Sequence, residues 1–153
     1  MFKVETNSEY ETIKIAEKLS TFLKPGDVIT LDGDLGAGKT VFSKGIARGL
    51  GVKESITSPT FTIIKEYRDG RLPLYHFDVY RIEGPEEIIA IGGDEYIGGE
   101  GVCVIEWAEK IEELIPEDAI HINIKRNPDI GFDYRQVEID GFKGNAAALI
   151  ELH

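Results

Sequence analysis

Apolar residues recur at Ile13, Ala16, Leu19 and Leu23, the spacing of one helix face. Ser8 and Glu11 form a capping box ahead of them and Pro25-Gly26 stops the run, so the pattern predicts a first helix over 8–23. Val28-Ile29-Thr30-Leu31 then reads as a short buried strand running straight toward Gly33. Val41, Phe42, Ile46, Ala47 and Leu50 return to helical spacing, which predicts a helix over 39–50 with Gly51 as its stop. After a polar loop at 53–60, the segments 61–67 and 72–77 flank Asp69-Gly70 and read as a two-strand hairpin, with Pro73 at a strand start or an edge. A short helix is expected over 85–91, followed by a loop punctuated by glycines 92, 93, 98, 99 and 101. Gly101 to Ile105 is a second continuously apolar strand, of the kind covered on both faces, and it ends at Glu106-Trp107. A charged helix over 108–114 and alternating strands over 119–125 and 134–139, joined by Asn127-Pro128-Asp129, complete the pattern. No repeat, low-complexity segment or linker interrupts it, so the expectation is one α/β domain over 1–153 with a mixed, largely parallel central sheet.

Composition narrows this picture. A chain of 153 residues with 42% hydrophobic content has the size of one domain that buries its own core. There is no apolar run of about 18 residues to span a bilayer, and the N-terminal stretch lacks the basic-then-apolar layout of a secretion signal. The expectation is a soluble, cytoplasmic protein without membrane contact. The single cysteine, Cys103, lies in an apolar run, which excludes an internal disulfide or a cysteine cluster and suits a small core residue. A net charge of −11 is unfavourable for a protein that must hold nucleic acid alone, so contact with RNA would need a partner; otherwise the charge is a solvated acidic surface.

The chemistry is concentrated in Gly33-Asp34-Leu35-Gly36-Ala37-Gly38-Lys39-Thr40, which satisfies the phosphate-loop pattern G-x-x-x-x-G-K-[ST] at every specified place. Glycines let successive backbone N–H groups converge on phosphate oxygens, and the following helix adds its positive end. Lys39 would neutralise the β and γ phosphates and Thr40 would offer its hydroxyl to Mg²⁺, so ATP or ADP with Mg²⁺ is the expected ligand. The order strand, loop, helix points to a three-layer P-loop NTPase-like fold.

Such a site also needs a carboxylate at a neighbouring strand end. Glu106, closing the run Val102-Cys103-Val104-Ile105, is the first choice for the metal side; the alternative is a solvated strand end. Asp78 in His76-Phe77-Asp78-Val79-Tyr80-Arg81 is a second candidate, for water or metal, against a turn-capping role. Thr57-Ser58-Pro59-Thr60-Phe61 follows the phosphate-loop helix where nucleotide switches place hydroxyls, and a plain proline turn would look the same. Trp107 is either core or a partner anchor. His76 reads as a hydrogen-bonded structural residue, His121 and His153 as belonging to no ligand set, and Tyr10 with the scattered aromatics as core.

Taken together, the phosphate loop, Ser58-Pro59-Thr60, Tyr75-His76-Phe77-Asp78-Val79-Tyr80-Arg81 and Ile105-Glu106-Trp107 resemble the bacterial tRNA threonylcarbamoyladenosine biosynthesis ATPase family, TsaE or YjeE, in order and spacing over about 8–115. The resemblance implies a small Mg²⁺-dependent ATPase that joins TsaD and TsaB and is needed for the N6-threonylcarbamoyl group on adenosine 37 of tRNAs reading codons that begin with A. Contact with tRNA would be indirect, through the complex. By matching position, Lys39 and Thr40 serve phosphate and Mg²⁺, Glu106 serves Mg²⁺, Asp78 is catalytic or positions water, 57–60 is the switch-like loop, and Trp107 lies beside the site. Ser8, Glu9 and Arg135 are further candidates for nucleotide contact.

Two other readings share the same loop. A small-molecule kinase would close an arginine-bearing lid over the phosphates; no arginine-rich segment stands out, though Arg68, Arg71 and Arg81 keep that option open. A nucleotide-gated scaffold would bind without turnover. A GTPase is disfavoured because no segment resembles the family pattern Asn-Lys-x-Asp.

Overall fold

The computed structural model describes residues 1–34, 36–59 and 62–150. Seven strands, β1 (Phe2–Thr6), β2 (Val28–Gly33), β3 (Ile64–Tyr67), β4 (Leu74–Asp78), β5 (Val102–Glu106), β6 (Ile120–Arg126) and β7 (Arg135–Asp140), form one mixed sheet in the order β1-β7-β6-β2-β5-β4-β3. The central four, β6, β2, β5 and β4, are mutually parallel, while β3, β7 and β1 join through antiparallel pairings. Helices α1 (Glu9–Ser20), α2 (Lys39–Gly49) and α4 (Ala146–Ile150) pack on one face. The other face is covered by α3 (Pro85–Ala90) and 3-10 turns at Gly93–Glu95 and Ala108–Leu114.

The strand pleat sorts side chains between these layers. Along β5, Val102 and Val104 meet the α1/α2 layer and Cys103 and Ile105 the α3 layer, which explains why the sequence reads apolar without alternation. Ile15, Leu19, Phe42 and Ile46 have no solvent exposure, and each such side chain contributes roughly 1.5–3 kcal/mol by leaving water. The parallel register brings the C-terminal ends of β2, β5 and β4 to one edge, with Leu31 opposite Glu106 and Glu106 opposite Asp78. The site is built on that edge.

Several expectations need correction. Three elements were not foreseen: β1, α4 and the 3-10 turn at Gly93–Glu95, which falls in the stretch read as a glycine-punctuated loop. The first helix stops at Ser20, where Phe22 and Leu23 N–H donate three residues back, to Leu19 and Ser20 carbonyls, tightening the last turn. The hairpin link spans 68–73 rather than 68–71, because it wraps the end of α2: Asp69 accepts from the Lys53 and Glu54 N–H groups at 2.9 and 3.2 Å, and Arg71 N–H donates to the Leu50 carbonyl at 2.7 Å. The segment 108–114 is 3-10 and breaks at Ile111 (φ −130°, ψ 35°) rather than forming an α-helix. Tyr10 is 63% exposed, on the outer face of α1 with the Lys14 ammonium over its ring, and Phe132 is 79% exposed. Tyr67, Tyr75, Phe42 and Phe77 are core as expected. Among the described residues no helix is long and apolar enough to cross a membrane.

Candidate functional site

The loop between β2 and α2 turns through three left-handed glycines, Gly33 (φ 153°), Gly36 (φ 79°) and Gly38 (φ 110°). Gly33 is fixed by space as well: a Cβ there would lie 2.7 Å from the Ile124 carbonyl oxygen of β6. Gly38 caps the 11-residue α2 without a side-chain hydrogen bond, so the first-turn N–H groups and the positive end of the helix face outward from the loop. That is the local arrangement that receives an anion. It opens on a cavity of ≈ 1210 Å³ lined on this side by Gly33, Asp34, Gly36, Gly38, Lys39 and Thr40.

The opposite wall comes from the neighbouring strand ends. Glu106 is 5% exposed, and its Oε2 lies 2.8 Å from Nε2 of the buried His76. Asp78 stands beside it in register; its Oδ1 accepts from Tyr80 N–H at 3.1 Å and its Oδ2 from Ser58 Oγ at 3.5 Å. Trp107 has a left-handed backbone (φ 64°), and its ring lies 4.6 Å below Lys39 Nζ and 4.8 Å from the Tyr80 ring. The Lys39 ammonium is thus held at the cavity by an aromatic face.

Arginines complete the enclosure. Arg135 donates from Nε to the Ala37 carbonyl at 2.7 Å and from Nη1 to the Phe132 and Tyr134 carbonyls, so β7 pins the phosphate loop from the side. Arg126 Nη1 approaches within 3.7 Å of where a Cβ on Gly36 would sit, and Arg81 also lines the cavity. Arg68 and Arg71 are elsewhere: the first pairs with Glu66 and Glu100, the second donates to the Ser20 and Leu23 carbonyls.

Thus Gly33, Asp34, Gly36, Gly38, Lys39, Thr40, Glu9, Ser58, Asp78, Glu106, Trp107 and Arg135 meet at one cavity. Ala37 lies buried beneath it, offering its carbonyl to Arg135. Ser8 does not line it; its hydroxyl accepts from Glu11 N–H at 3.1 Å and caps α1. Thr57 is also turned away, its hydroxyl accepting from Lys65 Nζ at 2.9 Å, and Pro59 is buried off the cavity. Leu35, Thr60, Phe61 and His153 lie outside the described residues. His121 bonds to Thr30 Oγ1 through Nδ1.

Sequence reasoning did not single out Asp32, Glu109, Arg126 or Asp133, all at the cavity. Asp32 had a usable signal, as the polar end of an otherwise apolar strand. The carboxyl of Asp32 is pushed above its ordinary range, first by partial loss of water and then by the nearby Glu109, against His121 and Lys39.

Among the described residues, no group of three His, Cys, Asp or Glu side chains is gathered to hold a metal alone. The Thr40 hydroxyl with the Asp78 and Glu106 carboxylates is instead a set of hard oxygen donors facing an anion cradle, which fits Mg²⁺ arriving with phosphate oxygens and water.

Residues 6–136 match the family described as "Threonylcarbamoyl adenosine biosynthesis protein TsaE". The chain is 57% identical over 135 residues to the tRNA threonylcarbamoyladenosine biosynthesis protein TsaE of Bacillus subtilis (strain 168), covering 88% of this chain and 82% of that protein. It is 45% identical over 120 residues to the protein of the same name from Treponema pallidum (strain Nichols), covering 78% and 88%. The crystal structure of Bacillus subtilis YdiB superposes with a TM-score of 0.78 at 47% identity, covering 99% of this chain and 93% of that one. The likeness therefore spans both the phosphate-loop side and the β6–β7 side of the cavity, and the chain belongs to the TsaE family.

Proposed function

We propose that this protein is a Mg²⁺-dependent P-loop ATPase which acts in the cytoplasm with TsaD and TsaB in forming the threonylcarbamoyl group on adenosine 37 of tRNA. The observation that carries the ATPase reading is the meeting of three left-handed glycines, Lys39 and Thr40 with the Glu106 and Asp78 carboxylates across one cavity. The pathway reading is supported by the names of the relatives, tRNA threonylcarbamoyladenosine biosynthesis proteins.

Each residue then has a task set by its chemistry. The loop N–H groups and the α2 end hold the phosphates, and Lys39 moves from the Trp107 ring to the phosphate charge. Thr40 and Glu106 hold Mg²⁺, which neutralises charge on the phosphoryl group when bound. Asp78 orients the attacking water, and Ser58, within reach of Asp78, carries the state of that site into the loop 57–60. Hydrolysis resets the assembly with the partners. Contact with tRNA is through the complex, since the chain carries a net charge of −11.

The test is Mg²⁺-dependent ATP hydrolysis by the purified protein, alone and with TsaD and TsaB, with Lys39→Ala as control. Slow turnover alone that rises with the pair and vanishes in the variant supports the proposal. If the pair leaves turnover unchanged in a folded, ATP-binding protein, the pathway assignment fails; a phosphorylated small acceptor would turn the reading to a kinase, and nucleotide-gated binding of the pair without turnover to a scaffold.

A further inference from the structure

Behind the metal-side carboxylate, Glu106, lies a buried imidazole, His76, to which the proposed chemistry gives no task. His76 and Asp78 are two apart on β4, so both point to the same face of the sheet, and β4 runs parallel to β5 with Asp78 opposite Glu106. The same face of β4 therefore offers Asp78 at the sheet edge and, one step below, an imidazole aimed at Glu106. The His76 side chain is 1% exposed and that of Glu106 is 7% exposed, and the two meet at 2.8 Å.

We infer that His76 is a positioning residue for metal-linked nucleotide binding: it donates Nε2–H to Glu106 Oε2 and holds the carboxylate at the cavity wall. This rests on the nucleotide reading of the site proposed above.

A buried carboxylate is expensive unless hydrogen-bonded, and among the described residues no Lys or Arg lies within salt-bridge distance of Glu106, which leaves His76 as its partner. With Glu106 ionised it can only accept, so the hydrogen must sit on Nε2. Nδ1 is buried and has no partner among the described residues. A bare lone pair there is less costly than a stranded N–H, which places the hydrogen on Nε2 rather than on Nδ1. The bond engages one carboxylate oxygen and leaves Oε1 outside it. Outer hydrogen bonds of this kind orient carboxylate ligands, and their loss typically lowers metal affinity by about ten- to a hundredfold. A histidine serving only to fill space would not need this one aligned contact, which a leucine of similar volume cannot make.

The test compares wild type, His76→Gln and His76→Leu by calorimetric titration with a non-hydrolysable ATP analogue, with and without Mg²⁺. Glutamine can present an amide N–H near the position of Nε2; leucine cannot. Without Mg²⁺ all three should bind alike. With Mg²⁺, wild type and His76→Gln should gain affinity together, and His76→Leu should lose about tenfold of that gain. A purely structural role would lower the melting temperature and leave the Mg²⁺-dependent gain intact, which would overturn the inference, as would a glutamine variant no better than leucine. Should His76→Leu not fold, nitrogen-15 imidazole signals of the wild type decide: Nε2 protonated and Nδ1 bare supports the assignment, the reverse overturns it. If the wild type binds the analogue but gains nothing from Mg²⁺, the inference falls while the phosphate-loop reading stands. If the wild type binds no nucleotide, both fall.

Discussion

Asp32 is the last side chain of β2 before the glycine loop turns, and the raised pKa of its carboxyl has a defined consequence for stability. A carboxyl with a folded value above the unfolded one opposes folding when ionised, so its penalty is fully present above the folded value. The penalty is relieved as pH falls through that value and is gone below the unfolded value, where both states are protonated. Asp32→Asn should therefore raise Tm at neutral pH by roughly a degree, because the site is open to water. The gain should shrink to nothing as pH is lowered through the carboxylate range. Thermal melts of both proteins across pH check this, and a gain independent of pH would contradict it. Cys103 offers a second single-residue reading. Burial pushes its thiol up to about 12, and its Sγ donates to the Tyr96 carbonyl at 3.2 Å. At neutral pH it should resist a maleimide in the native protein and react at the rate of global unfolding, since the thiolate is the nucleophile. As the chain has one cysteine, mass spectrometry reads that rate without ambiguity.

At the scale of elements, the phosphate loop depends on how closely α2 can lie on α1. Two glycines set that distance: a Cβ on Gly45 would come 2.5 Å from Ala16 Cβ and 2.7 Å from the Ile13 carbonyl, and one on Gly49 would come 2.7 Å from the Glu17 carbonyl. In an isolated helix, glycine to alanine gains about 1 kcal/mol. Here overpacking wins, and Gly45→Ala should cost roughly 1–3 kcal/mol net, lowering the denaturation midpoint without a change in m-value. A stabilised variant would show that the helices part freely. Part of the fold was legible in the sequence and part was not, according to whether the signal is local. The apolar spacing of 39–50, the run 101–105 and the glycine loop are local signals, and they gave α2, β5 and the junction of β2 with α2 within a residue or two. Phe2–Thr6 also alternates, but a short strand is fixed only by its partner, and β7 lies at the other end of the chain. Asp69 was readable as a turn residue, yet its carboxylate is spent on Lys53 and Glu54, a contact no local pattern encodes. Within the site, Lys39, Thr40, Asp78 and Glu106 were legible because each closes or follows a recognisable element. Arg126 and Glu109 were not, since only the sheet order β6-β2-β5 brings them to the same cavity.

For the whole molecule, that cavity lies where every layer meets: α2 from one face, the 108–114 turn from the other, and β6 and β7 from the side. Lys39 rests on Trp107, and Arg135 joins β7 to Ala37, so a ligand seated there contacts elements that unfolding would separate. Binding to the native state alone stabilises it by about 2.7 kcal/mol at a hundredfold excess over Kd. For a chain of 153 residues, about 2–4 °C per kcal/mol then places the expected rise in Tm with Mg²⁺ and an ATP analogue at roughly 5–11 °C. Lys39→Ala should abolish the rise at the same ligand concentration. It should leave the ligand-free Tm within about 4 °C of the wild type, because a cation–π contact at a cavity open to water is worth roughly 0.5–1 kcal/mol. The two measurements separate a loss of ligand from a loss of fold. A rise that survives in Lys39→Ala would mean that nucleotide binds away from the glycine loop, whereas a large fall in ligand-free Tm would mean that the Lys39–Trp107 contact holds the two layers together.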